Sequence, residues 1–297
     1  MTCRWSRWVL AAAIVIAGAV PAVEADDRSQ IVGAVRTYDV SAGDTWQRIA
    51  SRFGVDVRTL AADNGLTITR PLHIGQQLRV DNRHILPDAA VRRPIVVNVP
   101  QRMLFFSEAE GPTVALPVAV GRSDWRTPLG AFTIVTRERD PSWEVPASIQ
   151  EEARRAGKSL PPVVPPGPDN PLGKFWLGLS LGSVGIHGTN APLTIYRVAT
   201  HGCIRLHPDD IASLFERVET GMSGEVVYQP ILLAVDGEDI LLEVHPDVYR
   251  LGPSDRIAEA RRRAALLGVL DRIDLVAVAR VIRGREGIAR SVVARTQ

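Results

Sequence analysis

The chain has 297 residues, with 35 basic and 33 acidic side chains for a net charge of +2. That balance gives no basic field and excludes nucleic acid as a partner. Apolar residues make up 45% of the chain, enough to fill ordinary cores in about two domains.

Residues 1–25 read as an export signal. Arg4 and Arg7 precede an uncharged apolar run from Trp8 to Val20, and Val23-Glu24-Ala25 ends it with the small-x-small pattern of a cleavage site. The run is too short for a comfortable membrane-spanning helix. Removal of this segment takes Cys3 with it, brings the charge close to neutral, and leaves Cys203 as a lone thiol with no disulfide partner. The expected location is an oxidising compartment reached by export.

After a polar linker, residues 36–80 form a compact unit. Thr37-Tyr38-Asp39-Val40 alternates as a strand, and Ala42-Gly43-Asp44-Thr45 supplies a turn and a helix cap. Trp46, Ile49, Ala50 and Phe53 recur at helical spacing until Gly54, and a second short helix is expected over 57–64 with Gly65 as its stop. Residues 72–80 read as a closing strand.

Residues 83–93 form a Pro-containing linker. Strands are then predicted over 95–99, 103–106, 114–120 and 132–136. Residues 137–173 hold eight of the 21 prolines and cannot belong to a continuous sheet. They read as an ordered lid or substrate wall, with Trp143 offering apolar surface and a helix opening on the capping box Ser148-Ile149-Gln150-Glu151 and ending at Gly157. Strands return at 175–181 and 184–187. Pro208 then starts a helix with Asp209 and Asp210 in its first turn, and Ile211, Leu214, Phe215 and Val218 form one face. Strands over 225–228, 231–235 and 240–244 are expected to close this domain, and the chain from 252 to 297 reads as a helical extension with Ile257, Ala260, Ala264 and Leu267 on one stripe.

The chemistry concentrates between Ile186-His187-Gly188-Thr189 and His201-Gly202-Cys203-Ile204-Arg205-Leu206, eleven residues further on. A thiol with a free pKa near 8.5 needs a base to become a nucleophile, and His187 or His201 is placed to take its proton. Gly202 permits a sharp turn whose backbone N-H groups suit an oxyanion. Arg205 either binds a substrate carboxylate or braces the turn. Cys203 with His187, His201 and His207 also offers zinc ligands, although no carboxylate or second cysteine completes a familiar spacing.

The stretch YDVSAGDTWQRIASRFGV with LHIGQQLRV resembles a LysM module. The likeness implies binding of N-acetylglucosamine-containing glycan between the loop of Gly43, Asp44 and Thr45 and the loop of Ile74 and Gly75. The His-Gly-Thr element followed by Thr200 to Leu206 resembles the signature of YkuD-type L,D-transpeptidases. The segment GRSDWRTPLGAFTI and the proline-rich loop LPPVVPPGPDNPLG resemble that family's Gram-negative periplasmic branch.

The resemblance implies a mainly β catalytic domain over 94–248, β-sandwich-like with short helices, beside the small β-α-α-β module. It implies Cys203 as nucleophile, His187 as base, and the Gly188 carbonyl orienting the imidazole. Backbone N-H groups of His201, Gly202 and Cys203 would form the oxyanion hole, with Arg205 and Thr189 in the substrate pocket beside Trp143. Neither cofactor nor metal is implied. The reaction would release D-alanine from a peptidoglycan tetrapeptide stem and pass the acyl group to an amine on another stem or on an outer-membrane protein. Water as acceptor would make a carboxypeptidase, and an inactive wall-binding protein is the remaining alternative.

Overall fold

The computed structural model describes residues 30–294. The export signal expected over 1–25 lies outside them. Among the described residues no helix is long and apolar enough to cross a membrane.

The first unit contains β1 (Ile31–Val32), β2 (Val35–Asp39), α1 (Trp46–Phe53), α2 (Val57–Asp63), β3 (Gln77–Asp81) and β4 (His84–Ile85). β2 and β3 pair antiparallel. Thr45 caps α1 by accepting from the Arg48 N-H, and Gly54 ends it at φ 68°, which is the left-handed conformation a glycine permits without a Cβ clash. The closing strand is shorter than the expected 72–80, because residues 73–76 turn to bond the loop after β2.

Eleven strands and two helices follow before residue 228: β5 (Ile95–Asn98), β6 (Met103–Phe106), β7 (Val114–Gly121), β8 (Gly130–Arg139), β9 (Trp143–Glu144), α3 (Ala147–Arg155), β10 (Val163–Val164), β11 (Phe175–Leu179), β12 (Gly185–His187), β13 (Val198–Thr200), β14 (Ile204–Leu206), α4 (Pro208–Arg217) and β15 (Ser223–Val227). The expected β-sandwich is not what forms. One sheet runs β7-β14-β12-β11-β8-β15-β5-β6 and returns to β7. This closure is possible because the first half of β7 pairs with β6 and the second half with β14 and β13. The result is a barrel-like sheet without free edges along that circuit. Side chains alternate, so Phe132, Ile134, Leu177, Ile186, Ile204 and Leu206 enter one core together with Ile211, Leu214 and Phe215 of α4.

The proline-rich insertion is ordered. β9 and β10 pair as a ribbon, and buried Asn170 ties it together by donating to the Pro141 carbonyl at 2.8 Å and accepting from the Leu172 N-H at 2.9 Å. The capping box does not form: α3 begins at Ala147, behind Pro146, without a side-chain cap.

β16 (Ile231–Asp236) and β17 (Asp239–Val244) form the expected hairpin but do not close the barrel. They build a separate three-stranded sheet with β18 (Arg290–Ser291), near the end of the chain. α5 (Arg256–Leu266) and α6 (Leu275–Gly284) cover it. The last part of the chain thus holds two helices and a strand that completes a sheet of its own. On α5 only Ala260 and Ala264 of the expected stripe are buried, while Ile257 and Leu267 are about 40% exposed at 43% and 40%.

Leu177 is fully buried in the barrel. Replacing it with alanine is expected to destabilise the chain by about 2–5 kcal/mol through lost burial and a residual cavity, read as a shift in the denaturant midpoint.

Candidate active site

β12 and β14 lie side by side and parallel, with Ile186 opposite Ile204 and His187 opposite Arg205. Both isoleucines are fully buried in the barrel core. Alternation then places His187 and Arg205 on the other face, together with Cys203 one step before β14. The Gly185 N-H lies against the thiol.

His187 is 3% exposed. The Trp176 ring stacks on it at 5.7 Å between centroids and 29° between planes. Trp176 reaches that position by lying across Gly185, where a Cβ would stand 2.3 Å from the indole. Burial, followed by the positive charge of Arg205, takes the imidazole pKa down to about 3, against a smaller opposing effect of the Gly188 and Leu172 backbone. Nδ1 nevertheless makes no hydrogen bond of full geometry. Gly188 therefore acts on the ring jointly with Leu172 rather than alone. No hydrogen bond links the ring to Cys203 among the described residues.

Cys203 is partly buried. Burial raises its thiol pKa, while the Gly185 N-H and Arg205 act in the opposite direction. Arg205 forms no ion pair among the described residues, and its Nε is buried without a partner. An unpaired guanidinium beside a thiol is a site for an anion.

The turn at 201–203 is braced from behind. Gly202 adopts φ 107°, its carbonyl accepts from the Thr127 hydroxyl at 2.9 Å, and its N-H donates to the Thr200 hydroxyl at 3.2 Å. Thr127 is held in turn by Tyr249, whose hydroxyl accepts from the Thr127 N-H at 3.0 Å and donates to the Gly121 carbonyl at 2.7 Å. Of the three expected oxyanion donors, Gly202 is thus engaged, while the N-H groups of His201 and Cys203 have no partner among the described residues. Tyr249 lies one residue beyond the expected domain limit of 248, yet is buried in the barrel core.

His201 has a carboxylate partner of its own. Its Nε2 contacts the Glu152 carboxylate on α3, and its ring meets Trp125 edge-on at 4.8 Å. Glu152 also accepts from Arg122 at 2.8 Å. Arg122 first and His201 second hold the Glu152 carboxyl below the ordinary carboxylate range. This contact between insertion and turn spans 49 positions and leaves no local signal. His207 is equally occupied, accepting from the Asp209 N-H at 3.4 Å as the cap of α4. Cys203, His187, His201 and His207 therefore do not converge on one ion. The described residues do gather His84, Glu243 and His245 within 4.8 Å of one another, in a different part of the fold.

A cleft of about 950 Å³ opens beside Cys203. Trp125, Trp143, Trp176 and His201 are among its walls, and the insertion supplies one side from Glu138 to Ile149. Trp143 stands in the wall of the cleft, whereas His187, Thr189 and Arg205 are not among its lining residues. Thr189 is buried, and its hydroxyl accepts from the Ala191 N-H at 3.0 Å.

In the N-terminal unit, the loops of Gly43 and Gly75 are joined by bonds between Gly75 N-H and the Val40 carbonyl at 2.8 Å and between Val40 N-H and the Gln76 carbonyl at 2.9 Å. Asp44 accepts from the Tyr38 hydroxyl at 2.7 Å, Thr45 caps α1, and Ile74 is 76% exposed.

With the thiol raised and the imidazole lowered, both groups are neutral at rest near pH 7. His187 binds a proton more readily unfolded than folded, so its contribution to stability is lost as pH falls from about 6.5 towards about 3. Alkylation of Cys203 by iodoacetamide is expected to accelerate continuously above about pH 7. A rate plateau between about pH 5 and 7 would instead reveal a standing thiolate-imidazolium pair.

Residues 92–228 match the YkuD family, the L,D-transpeptidase catalytic domain, and residues 38–81 match the LysM domain. The Salmonella typhimurium protein named "Probable L,D-transpeptidase ErfK/SrfK" is 36% identical over 75% of this chain and 73% of its own length. The Escherichia coli K12 protein named "Probable L,D-transpeptidase YbiS" is 30% identical over 74% and 72%. A solved L,D-transpeptidase from Mycobacterium tuberculosis H37Rv aligns with 45% of this chain and 56% of its own, at 17% identity and a TM-score of 0.34. The chain belongs to the YkuD L,D-transpeptidase family and carries a LysM domain.

Proposed function

We propose that the chain is a cysteine-dependent L,D-transpeptidase of the periplasm, acting on peptidoglycan tetrapeptide stems. The observation that supports this reading is that Cys203 lines the cleft while His187 and unpaired Arg205 share its face of two parallel strands.

His187, neutral and therefore able to accept a proton, takes it from the Cys203 thiol as sulfur attacks the carbonyl of the stem's third residue. The N-H groups of His201 and Cys203 receive the oxyanion. On collapse the carbon-nitrogen bond breaks, and the proton on His187 goes to the departing D-alanine amine. This leaves a thioester at Cys203. An acceptor amine then attacks the thioester and gives a proton to His187. The thiolate departs, recovers that proton, and the thiol is restored. Arg205 pairs with a substrate carboxylate and steadies the thiolate in transit. The LysM loops at Gly43–Thr45 and Ile74–Gly75 hold the glycan of the same polymer.

An amine on another stem and an amine on an outer-membrane protein both satisfy this chemistry. Incubation with purified tetrapeptide muropeptides is expected to yield free D-alanine and a crosslinked product by mass spectrometry. Hydrolysed tripeptide as the sole product would sink the transferase reading. A carbapenem should add its mass to the wild-type chain and leave Cys203→Ala unmodified. An inactive wall-binding protein would take no adduct at all.

His187→Ala is expected to slow acylation by about 10²–10⁴-fold, the usual contribution of a general base. Undiminished acylation would remove His187 from the mechanism.

A further inference from the structure

The chain beyond residue 228 lies outside both family matches, and its buried contacts reach both of the matched units. Near its end, Ile288 is 1% exposed and sits in the LysM core among Trp46, Ile49, Leu60, Leu78 and Val80. The residues around it are fastened on each side. The Thr59 hydroxyl of α2 donates to the Glu286 carbonyl at 3.3 Å, and Arg290 pairs with Asp63 at 2.7 Å. The Ala289 N-H donates to the Arg83 carbonyl of the linker at 3.1 Å. Arg290 and Ser291 meanwhile belong to β18, paired with Leu242 and Leu241 of β17.

Glu243 of β17 is fully buried at the meeting point of the three units. One of its oxygens accepts from His84 at 2.7 Å, His245 at 2.7 Å and Gln101 at 3.0 Å, and the other from the Ile85 N-H at 2.5 Å. His84 reaches on to the Gly54 carbonyl at the end of α1, at 3.1 Å. Gln101 is oriented by Asn98 of β5 at 2.7 Å. A single carboxylate therefore joins the LysM domain, the linker, the barrel and the C-terminal sheet. Burial pushes its pKa up, but the charge of His84 and the bonds from His245 and His84 more than offset that and hold it below the ordinary range. A charged carboxylate that receives this many donors is strongly destabilising to leave unpaired.

Direct contacts complete the attachment. Arg52 pairs with Asp210 of α4 at 2.8 Å, and Gly54 packs so closely that a Cβ there would stand 2.9 Å from the Met103 sulfur.

We propose that the C-terminal sheet and its strap are a clamp, centred on Glu243 and Ile288, that fixes the LysM domain at one distance and angle from the Cys203 cleft. Glu243 and Ile288 are positioning residues: they act through the placement of the glycan-binding unit and touch no reacting atom. A LysM domain on a loose linker raises the local concentration of substrate over a wide volume, whereas a fixed one presents only stems at a set offset from the bound glycan. The class of substrate this arrangement favours is stem peptide still attached to polymeric glycan, over free muropeptide. This preference rests on the reading of the cleft as a transpeptidase site.

The test uses the full-length chain with Glu243→Gln and Ile288→Ala, assayed in parallel on intact sacculi and on soluble tetrapeptide muropeptide. Both variants are expected to lose roughly tenfold or more in kcat/KM on sacculi, through KM. Their kcat on muropeptide and their rate of carbapenem acylation should stay within about twofold of wild type. A parallel fall on both substrates, or no fall on either, overturns the proposal.

Hydrogen exchange on the wild-type chain decides the matter if the variants do not fold. The Ile85 and Ala289 amides should exchange only with global unfolding, and rapid exchange at either means the clamp is open. That measurement needs no activity, so an inactive wild type would count against the transpeptidase reading alone. One equivalent of zinc in the purified chain, absent from Glu243→Gln, would replace the hydrogen-bonded clamp with a metal site.

Discussion

Because β12 runs parallel to β14 with Ile186 facing Ile204, His187, Cys203 and Arg205 have to lie on the opposite face of those two strands. The two isoleucines are committed to the barrel core, and a slip of one residue would bury Arg205 among apolar side chains while exposing isoleucine to the cleft. Burial of Ile186 and Ile204 thus orients the side chains that flank them. The remaining features serve that arrangement. Gly185 lets Trp176 lie over the strand and cover His187, and the Thr127–Tyr249 pair holds Gly202 in a conformation other residues rarely adopt.

Burial sets the electrostatics as well. Removing His187 and Cys203 from water disfavours the charged form of each, so the resting site holds a neutral acid and a neutral base instead of an ion pair. Arg205 works in both directions at once, lowering the imidazole and favouring the thiolate. A thiol kept protonated is less open to oxidation, which matters for a cysteine with no disulfide partner among the described residues.

What could be read from the chain follows the range of the interaction. Helix α1, its Thr45 cap and its Gly54 stop are local, and so is the alternation that marks the barrel strands. The turn at Gly202 was legible because a glycine between histidine and cysteine has few other uses. Of the features that escaped, the helix start at Pro146 and the Thr189 bond are local, and the rest are long-range. Nothing near Ser148 shows that Pro146 will take its place at the helix start. Nothing near β7 shows that one strand will pair with three others and close a barrel in place of a sandwich. The hairpin at 231–244 was found as a hairpin, but its partner is β18 at 290–291, far along the chain. His201 looked free to act because its partner Glu152 lies in another segment. Thr189 looked like a substrate contact because a local hydrogen bond to Ala191 is invisible in the residue type.

Tyr249 gives the fold an order in time. It braces the Gly202 turn, yet it follows the β16–β17 hairpin, so the chain leaves the barrel, builds that hairpin, returns with Val248 and Tyr249, and leaves again. A polypeptide that emerges from its N-terminus displays Cys203 and His187 before the tyrosine that steadies the turn exists. Cys203 is present early and the support of its turn arrives late. A chain interrupted before residue 249 would carry Cys203 and His187 without the brace behind them.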